Sequence, residues 1–225
     1  MEDLIRIVST KKLLSNQKQY LLNANFSVVE ADFIGIKFKK FDLKNDNDFL
    51  VFTSQNAVES VMQSTEILEE LKYKKCFCVG EKTKGLLEQR GFEVIHFSEY
   101  ASELASIICN QYQKSSFTFF SGNLRKDILP DAMQLAQISF DEIVVYQTVL
   151  KPIEVALKPD GILFFSPSAI ESYLKTNSIT DEVCFCIGAT TASALEGITT
   201  KRIIANNPSV ENVIIQCINY YSQKA

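Results

Sequence analysis

Short apolar runs typical of β-strands alternate with helical segments along the whole chain. We predict strands at Leu4–Ser9, Phe26–Ala31, Phe49–Thr53, Lys75–Val79, Glu93–Phe97, Ser116–Phe120, Glu142–Thr148, Ile162–Phe165, Val183–Ile187 and Arg202–Ala205. The predicted helices are Lys12–Asn23, Asn56–Gln63, Lys82–Gln89, Ser102–Gln113, Ala169–Lys175, Thr191–Leu195 and Ser209–Tyr221, the last with Asn207 as its cap and Pro208 at its first position. Several strands are continuously apolar, as in strands buried on both faces, so the alternation predicts an α/β fold of parallel sheets flanked by helices.

An internal repeat divides this pattern into two similar units. The segment Val51-Phe-Thr-Ser-Gln-Asn-Ala-Val-Glu-Ser60 resembles Leu163-Phe-Phe-Ser-Pro-Ser-Ala-Ile-Glu-Ser172. Cys76-Phe-Cys-Val-Gly80 likewise resembles Cys184-Phe-Cys-Ile-Gly188. The spacing between the two motifs is also similar, because Ser54 precedes Gly80 by 26 residues and Ser166 precedes Gly188 by 22. Because both motifs recur in the same order, we predict two similar α/β domains.

Polar residues follow the predicted strands in both copies of the repeat. The triplets Ser54-Gln55-Asn56 and Ser166-Pro167-Ser168 each come directly after a strand and open a helix. Such residues can simply cap the helix. They can also bind a ligand, because ligands of open parallel sheets bind beyond the carboxyl ends of the strands. The matching loops favour one shared cleft, in which helix N-termini would bind an anionic small molecule.

Composition and missing motifs narrow the possible functions. The net charge of −4 disfavours nucleic-acid binding, and no apolar run is long enough to span a membrane. Cys76, Cys78, Cys184 and Cys186 alternate within apolar strands, so they are predicted to be core thiols rather than zinc ligands. With one histidine, no P-loop and no Gly-x-Gly-x-x-Gly, the sequence predicts chemistry without metal, nucleotide or other cofactor. We expect a cytoplasmic location, because no signal peptide is visible. We also expect a monomer.

Six short motifs, taken in order, resemble the uroporphyrinogen-III synthase family over nearly the whole chain. They are Phe52-Thr-Ser-Gln-Asn-Ala-Val-Glu59, Val79-Gly-Glu-Lys-Thr83, Phe120-Ser-Gly-Asn-Leu-Arg125, Val145-Tyr-Gln-Thr148, Phe164-Phe-Ser-Pro-Ser168 and Ile187-Gly-Ala-Thr-Thr-Ala192. The resemblance implies two similar domains, each a parallel sheet flanked by helices, joined by a two-stranded β hinge. Residues 1–34 and 150–225 would form the first domain, residues 39–145 the second, and 35–38 and 146–149 the hinge strands.

The resemblance also implies a substrate and a reaction. The family closes hydroxymethylbilane, a linear tetrapyrrole with eight carboxylates, into uroporphyrinogen III, with loss of water and inversion of ring D in haem biosynthesis. Tyr146 matches a hinge tyrosine that could donate the proton for water loss, but a tyrosine in a strand can also be a packing residue. The resemblance and the repeated loops together predict substrate contacts by Thr10, Lys11, Ser54, Gln55, Asn56, Thr83, Ser121, Gly122, Asn123, Arg125, Ser166, Pro167, Ser168, Thr190 and Thr191. Where many members have Thr-Arg-Pro after the first strand, this chain has Ser9-Thr10-Lys11.

A second function from another class also fits two domains with a hinge. A non-catalytic protein that binds an anionic small molecule would have the same organisation. The order of the six motifs favours the lyase over this alternative.

Overall fold

The computed structural model describes residues 4–223 and divides the chain into two compact units. One unit contains the described residues up to Gly35 and those from Val149 onward, and the other is Ile36–Thr148. The chain therefore passes from one unit to the other twice. The passages lie between Gly35 and Ile36 and between Thr148 and Val149.

Eleven strands and nine helices are formed within residues 4–223. The strands are β1 Arg6–Ser9, β2 Ser27–Glu30, β3 Ile34–Phe38, β4 Phe49–Phe52, β5 Lys75–Val79, β6 Glu93–Ser98, β7 Ser116–Gly122, β8 Ser139–Leu150, β9 Gly161–Phe164, β10 Val183–Cys186 and β11 Arg202–Ile204. The helices are α1 Ser15–Asn23, α2 Gln55–Met62, α3 Thr65–Lys72, α4 Glu81–Gln89, α5 Ala101–Gln111, α6 Ile128–Leu135, α7 Pro167–Leu174, α8 Ala189–Ser193 and α9 Val210–Ser222.

Each unit is built on its own sheet, and the prediction of parallel strands is confirmed. The five-stranded sheet has the order β11-β10-β9-β1-β2, with all neighbouring strands parallel. The six-stranded sheet has the order β3-β8-β7-β4-β5-β6, and its strands from β8 to β6 are parallel to their neighbours. Consequently the loops that follow parallel strands come together at one edge of each sheet.

The central strands of the six-stranded sheet, β4, β5 and β7, are buried on both faces, as their apolar sequences predict. Leu50 and Cys76 pack in one cluster, whereas the adjacent Val51 and Phe77 pack in another. Successive side chains of a strand point to opposite faces, so the two clusters are the two faces of one sheet.

The cysteines of both Cys-x-Cys motifs are core residues, as predicted. Cys76, Cys78, Cys184 and Cys186 are buried. Burial raises the pKa of the Cys78 and Cys184 thiols to about 12 and that of Cys186 to about 11. These thiols are therefore neutral and behave as small apolar side chains.

Three features of the helices differ from the sequence-based expectation. The longest helix, α9, begins at Val210 and is capped by Ser209, whose Oγ accepts from Asn212 N at 3.1 Å. The prediction of Asn207 as cap and Pro208 at the first position was therefore wrong. Helices α3 and α6 were not among the predicted helices. Helix α6 contains Pro130, a residue type that breaks a helix interior. Pro130 lies in the first turn, where its missing N–H has no helical partner to lose.

No helix within residues 4–223 is long and apolar enough to cross a membrane.

Candidate active site

Most predicted site residues of the Ile36–Thr148 unit lie beyond the carboxyl ends of its parallel strands, and Ser121 and Gly122 are the last two residues of β7. Ser54 caps α2, and its Oγ accepts from Asn56 N at 3.2 Å. Gln55 Nε2 donates to Lys82 O at 3.3 Å, which links the first turn of α2 to the first turn of α4. The starts of both helices are thus held side by side at this edge, where helix N-termini favour anions.

Thr83 lies in the first turn of α4, which follows the turn at Gly80. Gly80 has φ of 88°, a conformation that favours glycine. Thr83 is buried, and its N–H donates to Gly80 O at 2.9 Å. Its hydroxyl has no hydrogen-bond partner in the part of the chain that the structure describes. Thr83 is therefore placed at the predicted edge, with its hydroxyl unpaired.

The ring of Tyr146 lies against Gly122 at the end of β7. A Cβ added at Gly122 would lie 2.3 Å from Tyr146 Cζ and 2.6 Å from the phenolic oxygen. Tyr146 is partly buried against the apolar cluster that contains Phe52 and Phe120. Among residues 4–223 the Tyr146 hydroxyl has no hydrogen-bond partner. The ring of Tyr146 is therefore a packing residue of this unit, which is one of the two roles expected from the sequence. Its phenol nevertheless remains unpaired, as a proton donor requires.

Arg125 is bound by carboxylates of its own unit. Its Nη2 donates to Glu142 Oε2 at 2.7 Å, its Nε donates to Glu142 Oε1, and its Nη1 donates to Asp127 Oδ1. Ser121 Oγ also donates to Glu142, at 2.7 Å. Hydrogen bonds from Arg125 lower the pKa of Glu142 below its ordinary value, although partial burial opposes this shift. The guanidinium charge is therefore already paired, and two of its five N–H groups remain for a ligand.

The β7–α6 loop and β8 enclose a surface pocket of about 420 Å³. It is lined by Gly122, Asn123, Arg125, Asp127, Glu142 and Val144. Gly122, Asn123 and Arg125 were predicted from the sequence, whereas Asp127, Glu142 and Val144 were not. Glu142 shares no motif with Arg125, so that only the pairing of β7 with β8 brings the carboxylate to the loop.

In the other unit, the predicted residues lie at the corresponding edge of the five-stranded sheet. Ser166 caps α7, and its Oγ accepts from Ala169 N at 3.2 Å, with Pro167 in the first turn. Thr10 is buried, and its Oγ1 donates to Leu163 O at 2.8 Å. The Thr10 hydroxyl therefore already has an internal partner.

Thr191 repeats the position of Thr83. It is the third residue of α8, as Thr83 is the third residue of α4, and both threonines are buried. Its N–H donates to Gly188 O at 3.1 Å, as that of Thr83 donates to Gly80 O. By contrast, Thr190 and Lys11 are exposed, and Ser168 is half-buried. The internal repeat is therefore a repeat of local structure as well as of sequence.

A different pocket, of about 470 Å³, lies at the amino ends of strands in the five-stranded sheet. Its cations are paired, because Arg6 Nε lies 3.4 Å from Asp160, and Lys158 and Lys201 each lie 3.4 Å from Asp181. None of the predicted site residues lines it. Within residues 4–223, no group of three or more His, Cys, Asp or Glu side chains is placed to hold a metal ion.

These features define an α/β protein with two parallel sheets, each with capped helix starts and hydroxyl groups at its carboxyl edge. A family model described as uroporphyrinogen-III synthase HemD matches residues 16–215. The chain therefore belongs to the uroporphyrinogen-III synthase family, the cyclising lyases of tetrapyrrole biosynthesis. No curated protein matches the sequence at a significant level.

Two solved structures are similar over almost the full chain. A uroporphyrinogen-III synthetase from Helicobacter pylori has a TM-score of 0.75 at 21% identity, covering 96% of this chain and 100% of that chain. A mutant uroporphyrinogen III synthase from the extremely thermophilic bacterium Thermus thermophilus has a TM-score of 0.66 at 14% identity, covering 98% of this chain and 100% of that chain. At these identities the two structures support the fold, and the family assignment comes from the family model.

Proposed function

We propose that this chain binds hydroxymethylbilane and closes it to uroporphyrinogen III, with Tyr146 donating the proton that lets the terminal hydroxyl leave as water. The observation that carries this role is the phenol of Tyr146, which has no hydrogen-bond partner among the described residues although its ring is packed against Gly122. A general acid needs such a proton that is free to be donated, on a side chain that is held in place.

The reaction depends more on holding the flexible substrate in one conformation than on a strong acid. Loss of the hydroxyl as water leaves a cationic terminal carbon, which the substituted carbon of ring D attacks before that ring is inverted. Because the bilane also closes spontaneously without inversion, the enzyme must favour one geometry of attack. Binding groups that hold the substrate are therefore as important as the acid.

We infer that residues predicted from the sequence in both units, among them Thr83, Arg125 and Thr191, bind the substrate carboxylates. The first turns of α2 and α4 offer backbone N–H groups and the Thr83 hydroxyl, and the other unit offers the start of α7 and Thr191. Arg125 contributes the N–H groups that Glu142 and Asp127 leave unpaired. In this proposal the two units are similar domains, and β3 and β8 are the hinge strands that join them. The proposed reaction uses no metal or cofactor.

The acid role of Tyr146 is tested with Tyr146→Phe. We expect turnover to fall roughly 10-fold to 1,000-fold, because phenylalanine keeps the ring but loses the proton. Product affinity is expected to stay within about twofold, because the change removes no group that the proposal assigns to the carboxylates. Rates are measured with freshly prepared hydroxymethylbilane, after subtraction of the spontaneous reaction.

Tyr73→Phe is the matched control, since Tyr73 is an exposed tyrosine of the same unit. It should leave turnover unchanged. Wild-type turnover in Tyr146→Phe would contradict the proposal and leave Tyr146 as a packing residue.

A further inference from the structure

Asn123 continues the hydrogen bonding of β7 beyond the last residue of that strand. β7 ends at Gly122, and the next residue, Asn123, donates its backbone N–H to Tyr146 O at 3.3 Å. Its side chain accepts from Thr148 N through Oδ1 at 2.8 Å and donates to Thr148 O through Nδ2 at 3.4 Å. One residue thus binds the main chain of β8 at both Tyr146 and Thr148.

The side-chain carboxamide of Asn123 can bind both the N–H and the C=O of Thr148, because it presents a donor and an acceptor side by side, as a peptide group does. The carboxamide thus makes the hydrogen bonds to β8 that the main chain of one more β7 residue would make, just beyond the end of β7. Without it, Thr148 would lose both hydrogen bonds that it makes to the β7–α6 loop. The main chain that carries Tyr146 would then be free to move on that side.

The Tyr146 ring is restrained by the neighbouring residue, Gly122. The space that a side chain at Gly122 would fill is occupied by the ring, with Tyr146 Cζ only 2.3 Å from an ideal Cβ position. Gly122 and Asn123 therefore act on two different parts of the tyrosine. The glycine contacts the ring, and the asparagine binds the main chain on which the ring is carried.

From these contacts we infer that Asn123 is a positioning residue for Tyr146, acting through the main chain of Tyr146 and Thr148. This inference rests on the proposed role of Tyr146 as the acid, and it replaces the direct substrate contact expected for Asn123 from the sequence. Both polar atoms of its side chain are engaged with Thr148, so that a substrate group would have to compete with these bonds.

The test is Asn123→Asp, which keeps the size of the side chain and the acceptor for Thr148 N. The second carboxylate oxygen faces Thr148 O in place of the Nδ2 donor, and two acceptors repel each other. We expect kcat to fall roughly 10-fold to 100-fold, as when a reacting group is displaced by about 1 Å, with KM within about twofold. Asn110→Asp, on the exposed surface of α5, is the matched control for the added charge and should have wild-type kinetics.

A second measurement follows Tyr146 directly. In protein labelled with ring-¹³C tyrosine, the Tyr146 resonance is identified by its absence in Tyr146→Phe. It should shift or broaden in Asn123→Asp and stay unchanged in Asn110→Asp. In the Tyr146→Phe background, Asn123→Asp should lower kcat by less than a further twofold or so, because Asn123 is inferred to act only through the Tyr146 hydroxyl, which that background lacks. Asn123→Ala replaces the aspartate variant if circular dichroism shows that the latter is unfolded.

The outcomes separate the inference from the proposed function. A higher KM with unchanged kcat and an unchanged Tyr146 resonance would make Asn123 a substrate ligand and overturn the inference. Wild-type turnover in Tyr146→Phe would instead contradict the acid role of Tyr146, and a catalytic positioning role for Asn123 would fall with it. The tyrosine resonance would then still decide whether Asn123 holds the ring.

Discussion

The pair Gly122 and Tyr146 shows how one absent Cβ determines the position of an aromatic side chain. The sequence placed both residues in candidate motifs, but it could not relate them, because 24 residues separate them along the chain. Their contact arises from the pairing of β7 with β8, in which Gly122 is opposite Tyr146. A local pattern can therefore identify such residues without predicting what each does to the other.

This contact predicts the effect of Gly122→Ala. The new methyl group would overlap the Tyr146 ring, which is the movable end of a side chain, so that the ring turns away and the fold is kept. We expect turnover to fall about tenfold or more, since the phenol would leave its reacting position. Steady-state assays with hydroxymethylbilane, and thermal melting as a check on folding, measure the two effects.

Gly85→Ala is the control substitution. Gly85 lies within α4, and a Cβ there would meet no atom within 4 Å. It should keep full activity and raise the free energy of unfolding by about 0.5–1 kcal/mol, because alanine is the better helix former. Full activity in Gly122→Ala would show that the ring position does not limit turnover.

At the scale of elements, strands were easier to predict than helix boundaries. β5 was predicted with its observed bounds, since the Cys-Phe-Cys run is buried on both faces and is set off by polar neighbours. The cap of α9 was predicted two residues too early, because Asn207, Pro208 and Ser209 all suit a helix start. Which of these side chains accepts from the free N–H groups in the first turn of α9 depends on the backbone conformation before the helix, which the sequence does not reveal. The triplets at residues 54–56 and 166–168 offered several capping residues as well, and in the structure the first residue of each, Ser54 and Ser166, caps the helix.

The capping of α9 predicts the effect of Ser209→Ala. The Ser209 Oγ accepts from Asn212 N at the start of the 13-residue helix, and alanine leaves that N–H unpaired. We expect the free energy of unfolding to fall by about 1 kcal/mol, measured by urea denaturation. Asn207→Ala should have a smaller effect, because the Asn207 side chain does not cap the helix. The reverse order of the two effects would contradict the assignment of Ser209 as cap.

At the scale of the whole molecule, the repeat was the most informative feature of the sequence. It aligned Ser54 with Ser166, and both cap a helix in their own units. The structure further shows that Thr83 and Thr191 have the same local position, as third residues of α4 and α8. The carboxylate network around Arg125 was not predictable, because it joins a loop residue to Glu142 on a neighbouring strand. Repetition thus reveals what the two units share, whereas contacts made once in the fold leave no pattern in the sequence.

The most direct test of the account is the isomer formed from freshly prepared hydroxymethylbilane. The protein is dialysed exhaustively against a chelator, incubated with the bilane, and its oxidised products are separated by chromatography. We predict that the type III isomer predominates and that added metals or nucleotides do not change its yield. A product that is only type I, the isomer of the spontaneous reaction, would contradict the central claim and favour a protein that binds an anionic ligand without converting it.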